Sequence, residues 1–256
     1  MMNQRSQTGA TLIIVLVVLL LITIVGTLAI RQSLVSLNIA TNGQAQQLMM
    51  ESSDSAVFTA QDADNLSQEM ATNGMFGYIR TSNNKGKELV FCYRGTNTDF
   101  FTIANASIIQ WQTGSAPNYL EIGTAGYCDP RSSSNYYTSG RGVVMTQITV
   151  QFVDSSTDDT PFAGTVSGTD TDSAKVVSAE KAVVHAVSLM PTLSTASTSS
   201  IYSCLSTHMS NPVVPTGYTA SSGADQSISE CLAGLNVPFT THISEYTLTQ
   251  TLTSSS

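Results

Sequence analysis

The feature that most constrains this chain is a run of 21 residues without a charge, Ala10 to Ile30, ATLIIVLVVLLLITIVGTLAI. As an α-helix it is about 32 Å long, against a bilayer hydrocarbon core of about 30 Å. The core helix of a soluble domain keeps a polar stripe. This one is apolar all round and demands a lipid-like surrounding on every side. Its flanks set a direction. The preceding segment, MMNQRSQTG, carries Arg5 and the terminal amine and is expected to stay cytoplasmic, with Arg31 opposing weakly. The remainder of the chain is then expected on the far side of the membrane.

Composition agrees with that placement. Charged residues make up only 11% of the 256 residues, against about a quarter in ordinary soluble domains. Residues 1–31 hold Arg5 and Arg31 and no acid, which leaves eight bases against 18 acids in the rest. So acidic a head argues against non-specific nucleic-acid binding, because a phosphate backbone demands positive charge. Cys92, Cys128, Cys204 and Cys231 are an even number in an oxidising compartment and are read as disulfides. Of the three possible connectivities, the local one is favoured, Cys92–Cys128 with Cys204–Cys231. Each pair closes a loop of about 30 residues, for roughly 3 kcal/mol.

An ordinary secretory signal places its small-residue cleavage junction after a shorter apolar stretch. Here the junction precedes the stretch, at Gly9-Ala10, with Thr11 and Leu12 following. This arrangement resembles the class III signal of type IV pilins. In that family a prepilin peptidase cuts after the glycine and methylates the new N-terminus. The resemblance implies cleavage between Gly9 and Ala10, N-methylation of Ala10, and a mature chain of 247 residues, nine fewer than the full sequence. Most pilins carry Glu at the fifth mature position; here it is Ile14. A carboxylate in a bilayer is costly unless paired, and a subunit at a filament tip has no neighbour above it to pair with. Minor pilins of the PilX type and GspK-type pseudopilins lack this glutamate. The runs GATLIIVLVVLLLITIVGTLAIRQS and SLNIATNGQAQQL resemble the PilX N-terminal family over about the first 50 residues. The implied fold is α+β and type IV pilin-like, a long N-terminal hydrophobic helix packed on an antiparallel β-sheet head with disulfide-closed loops.

The implied organisation is a leader over 1–9, a transmembrane and filament-core helix over 10–31 and its continuation over 32–72. A β-rich head over 73–190 and a C-terminal disulfide-bonded region over 191–256 complete it. Leu34, Leu37, Leu48, Met49, Ala56 and Val57 keep helical spacing, so helix is expected to near Asp62 and again over Asp64–Ala71. Asn42-Gly43 is an expected weak point, since Gly costs about 1 kcal/mol in a helix interior. Strands are expected at Glu88–Arg94, Ser107–Trp111, Val144–Phe152, Lys181–Leu189 and Tyr246–Leu252. The third alternates, with Val144, Ile148, Val150 and Phe152 on one face and Met145, Gln147, Thr149 and Gln151 on the other. In the fourth, Val183, Val187 and Leu189 share a face. Asp154–Ala174 reads as an exposed, mobile loop and Pro191–Ser200 as a linker or loose loop.

No pattern with catalytic chemistry stands out, and no cofactor is expected. Ser82–Lys85 and Ser178–Lys181 match S-x-x-K without the companion motifs of an acylating serine. His185, His208 and His242 lack metal-ligand spacing, and His185, inside a strand pattern, reads as a hydrogen-bonded structural residue. The cysteines contain no C-x-x-C pair, which argues against zinc. Asp154, Asp158, Asp159, Asp170 and Asp172 offer oxygens for calcium but not in EF-hand order. Arg80, Lys85, Lys87 and Arg94, beside Phe91 and Tyr93, form the one basic cluster, a weak one for single-stranded DNA.

The expected function is therefore structural rather than enzymatic. The resemblance implies a minor pilin in a tip complex that primes pilus assembly and supports adhesion, motility or DNA uptake. Its partners would be other minor pilins, the major pilin, a PilY-type tip adhesin and the prepilin peptidase. It would reside in the inner membrane with a periplasmic head before joining an extracellular pilus. The alternatives are a GspK-type pseudopilin of type II secretion and a membrane-anchored extracellular binding module.

Overall fold

The computed structural model describes residues 8–80, 84, 86–94, 101–111, 122–137, 142–153, 180–214, 217–220, 223 and 225–248. The chain divides into two compact units, one up to Gln46 and one from Gln47 onward. Helix α1 (Thr8–Ala60) supplies all the described residues of the first unit and the opening segment of the second. It runs without interruption through Asn42-Gly43, where a weak point was expected. A Cβ built at Gly43 meets nothing within 4 Å, so no packing conflict forces a break, and one glycine is a small penalty in 53 residues of helix.

The second unit is a five-stranded antiparallel sheet in the order β2-β1-β3-β4-β5. The strands are β1 (Glu88–Tyr93), β2 (Ala106–Ile109), β3 (Met145–Val153), β4 (Glu180–Leu189) and β5 (Phe239–Leu248). Four lie within a residue or two of the expected positions, β3 and β4 where alternation placed them and β1 where β-forming residues are dense. The fifth starts seven residues earlier than expected, and positions 249–252 of that expected strand fall outside the described residues.

On one face of the sheet, Leu89, Phe91, Ile148, Val150, Phe152, Ala182, Val184 and Ala186 form the main core. The last turns of α1 cover part of this face. Met49, Ser52, Ser53, Ala56, Val57 and Ala60 are buried at spacings of three and four, a helical stripe. Apart from Met49 these residues are small, and hydroxyls complete the contact. Ser52 and Thr146 lie 2.7 Å apart through their hydroxyls, and Thr146 and Ser188 2.6 Å apart. Two short helices follow, α2 (Ala63–Glu69), capped by the Asp62 side chain, and α3 (Met75–Ile79), which sends Met75, Phe76 and Ile79 into the same core.

The opposite face is covered as well. Helices α4 (Thr198–Thr207) and α5 (Ile228–Gly234) pack Ile201, Leu205, Ile228 and Leu232 against Met145, Val187 and Leu189. Pro191–Ser200, expected as a linker or loose loop, is instead a 3₁₀ turn (Pro191–Leu193) leading into α4. The serines that looked like linker composition act as a cap: Ser197 accepts from the Ser200 N–H at 3.1 Å. Ser227 and Glu230 form a reciprocal capping box on α5. The helix ends at Gly234, and two residues on the chain turns away at Asn236, whose φ of 52° is tolerated by asparagine. There the Asn236 and Val237 amides donate to the Ala233 and Leu232 carbonyls.

Candidate functional site: an uncharged helical surface and a clasped C-terminal module

From Leu12 to Ile30 the large apolar side chains of α1 are all exposed, Leu12 to 65% and Ile14 to 62%. The helix is long and apolar enough to cross a membrane. The two polar side chains of that stretch are turned back on the helix's own backbone. Thr23 donates to the Leu20 carbonyl at 2.8 Å and Thr27 to the Ile24 carbonyl at 2.9 Å. Such bonds remove hydroxyl donors from contact with hydrocarbon. The absence of charge persists beyond the span. After Arg31 the next ionisable residue is Glu51, and Leu34, Val35, Leu37 and Ile39 remain exposed between them. The Gly9-Ala10 junction lies inside the first turn of α1, which begins at Thr8.

The four cysteines are joined as Cys92–Cys128 and Cys204–Cys231, with Cα separations of 4.9 and 5.6 Å. Cys92–Cys128 ties β1 to the Ile122–Tyr137 segment, and Cys204–Cys231 ties α4 to α5. Polar side chains of the sheet hold this C-terminal module. Gln147 Nε2 donates to the Leu205 carbonyl at 2.8 Å, and its Oε1 accepts from the Cys128 N–H at 3.1 Å. Thr149 donates to Ser210 Oγ at 2.8 Å. Glu88 accepts from the Ser210 and Asn211 amides, both at 2.8 Å. On the other side of the sheet, β5 meets α1 through His242 Nδ1 and Asp54, 2.9 Å apart, and meets the residue after the helix through Gln61 Nε2 donating to Tyr246 Oη at 2.8 Å.

The other residues singled out from the sequence scatter. His185 is buried on β4, but its Nε2 has no partner among the described residues, so the expected hydrogen bond at that nitrogen is absent there. Desolvation lowers its pKa. His208 ends α4 beside Thr207 Oγ1 at 3.1 Å. Phe91 and Tyr93 of the basic cluster point into the main core, which removes them as stacking platforms for bases. Arg94 donates to Asn135 Oδ1 at 2.8 Å and to the Ala125 carbonyl at 3.3 Å. Ser82, Lys85, Ser178, Asp154, Asp158, Asp159, Asp170 and Asp172 lie outside the described residues. Among the described residues no group of three or more His, Cys, Asp or Glu could hold a metal ion.

Two buried glutamates escaped the sequence reading. Burial and the nearby charge of Asp62 push the Glu69 carboxyl up to about 8, and neither oxygen has a hydrogen-bond partner among the described residues. Burial pushes Glu88 up to about 7, with the two amide bonds pulling it back down. The one signal for Glu88 was a charge at the head of the apolar strand ELVFCY. Compared with known proteins, the chain matches no family model, no curated protein and no solved structure.

Proposed function

We propose that this chain is a structural subunit of a type IV pilus, a PilX-type minor pilin placed at or near the filament tip. The observation that carries the reading is one continuous helix with two kinds of surface. Up to Gln46 it is uncharged except for Arg31 and almost entirely exposed, and from Met49 it presents a buried stripe to a disulfide-bonded antiparallel head. Such a helix suits lipid before assembly and packing against other apolar helices after it. The position of Gly9-Ala10 ahead of the apolar run supports removal of a leader on the cytoplasmic side with the helix retained. Ile14, apolar where most pilins have glutamate, favours a subunit with no neighbour above it. The work of the protein is packing: α1 leaves the inner membrane and enters the filament core, while the head caps the filament and presents a surface to a tip adhesin. No catalysis is assigned to it.

Shearing surface filaments from cells and probing them for the head tests this reading. The chain is expected in the filament fraction at low abundance and at filament ends by immunogold labelling. A chain found only in the membrane fraction, with normal filaments after its deletion, would favour a membrane-anchored binding module. Loss of protein secretion with intact pili would favour the GspK-type alternative.

A further inference from the structure

The two edges of the sheet are finished differently. The β2 edge is four residues long, and the chain around Gly126 closes over it. There Ser107 Oγ accepts from the Gly126 N–H at 2.9 Å, and Tyr127 Oη donates to the Ile108 carbonyl at 3.1 Å. At the other edge β5 runs for ten residues in unbroken register with β4, from Phe239 opposite Leu189 to Leu248 opposite Glu180. Alternate residues of such an edge strand turn their N–H and C=O groups away from the sheet. Among the described residues no segment hydrogen-bonds to those groups. Natural edges are blunted by shortness, proline, lysine or a bulge. Phe239–Leu248 has none of these, and its Ile243 is 56% exposed.

The elements beside this edge are acidic. Asp54 of α1 lies 2.9 Å from His242 on one face of the sheet, and Ser229 of α5 meets Thr241 at 3.2 Å on the other. Glu51 shares the Asp54 side of its helix, Glu230 follows Ser229, and Glu245 is exposed on β5 itself. Met49–Ala60, α5 and β5 contain no lysine or arginine. The nearest base in the sheet is Lys181 on β4, opposite Thr247. Ile243 and Glu245, two residues apart, share a face of the strand. We propose that the outer edge of β5 is a docking site for an extended, basic segment of another polypeptide, which adds as a sixth strand with a lysine or arginine opposite Glu245 and an apolar side chain opposite Ile243. Backbone hydrogen bonds supply the affinity in such strand addition, and the alternate side chains supply the selectivity. A second copy of this chain suits the edge less well. Residues 32–256 hold 18 acids against eight bases, and pairing two such edges brings like charges together. The edge is available whether or not α1 enters a filament.

Amide hydrogen exchange on the full, disulfide-bonded chain in nonionic detergent micelles reads the edge directly, with a short peptide of repeated Lys-Thr-Val-Thr as the probe. The repeat places lysine and valine alternately on one face and offers itself in many registers, so a slip in register does not hide binding. Before peptide is added, alternate β5 amides are expected to exchange freely. With peptide, those same amides are expected to become protected, while the ones bonded to β4 stay as they were. The same peptide with glutamate in place of each lysine is expected to bind about fivefold more weakly at low ionic strength, the size of a cross-strand charge pair turned from attraction to repulsion. Glu245→Lys, at an exposed position, is expected to keep the fold and to narrow the gap between the two peptides. Outward β5 amides already protected in the monomer overturn the docking site, because the chain then covers its own edge. A lysine peptide that leaves these amides exchanging freely, or equal binding of the two peptides, overturns it as well. So does a dimer in sedimentation whose β5 amides are protected without peptide, which assigns the edge to a second copy.

Discussion

Replacing Thr146 with valine removes one hydroxyl from the head and keeps the shape of the side chain. Thr146 is the middle of a buried chain that links Ser52 on α1 to Ser188 on β4, with spacings of 2.7 and 2.6 Å. All three side chains have 0% exposure, so water cannot replace a lost partner. Valine strands two hydroxyls, each at about 1–3 kcal/mol. Ser52 can turn its hydroxyl back to a carbonyl of its own helix, which trims its share. The expected loss is about 2–5 kcal/mol, or roughly 5–15 °C in Tm for a unit of this size. The triple replacement Ser52→Ala, Thr146→Val, Ser188→Ala removes donors and acceptors together and should cost less than Thr146→Val alone, since an apolar contact of similar shape is close to neutral. Thermal and denaturant unfolding of the full chain in detergent, read by circular dichroism, compares the two. A Thr146→Val loss below about 0.5 kcal/mol, or a triple variant as weak as the sum of its parts, would refute the buried-ladder argument.

Further outcomes follow from other contacts. The Glu69 carboxyl is raised in the fold, so its contribution to stability is complete below its unfolded value of 4.5 and is lost as pH rises through about 8. Glu69→Gln should therefore flatten the decline in Tm between pH 6 and 9, and an unchanged slope would contradict the burial argument. Removing the Cys204–Cys231 bond, which spans 27 residues, should destabilise the α4–α5 module by about 3–4 kcal/mol and speed proteolysis there, as limited digestion would register. Gly126→Ala should leave little folded protein, because the added Cβ would collide with the Val90 carbonyl and the Ser107 amide, both backbone, as yield and circular dichroism would reveal. Ile14→Glu should lower, or at best leave unchanged, the number of surface pili, because a tip subunit offers the new carboxylate no partner. Increased incorporation along the shaft would contradict the tip assignment.

What could be read from the chain alone was whatever repeats with a period. The uncharged run of α1, the alternation in β3 and the density of β-formers in β1 each announce an element locally. Residues whose role is set by distant partners were not legible in that way. Gln147, Thr149 and Gln151 form the polar half of an alternating strand, a pattern that fits a solvent face. They are buried because α4 and α5 cover that face, and Gln147 and Thr149 hydrogen-bond to the polypeptide that covers them. The linker expected at Pro191–Ser200 failed for a related reason: serine is common both in loose segments and at helix starts, and Ser197 has the second role. The capping box at Ser227 and Glu230 could have been found by its S-x-x-E spacing. The burial of Glu88 could not, because the Ser210 and Asn211 amides that hold it lie more than 120 residues away.

The mass and N-terminal sequence of the chain recovered from sheared surface filaments test the central proposal most directly. The account predicts a chain that begins at Ala10, carries one N-methyl group and contains 247 residues. A chain that begins at Met1, or one cut beyond Ile30 and so stripped of its apolar helix, would contradict it.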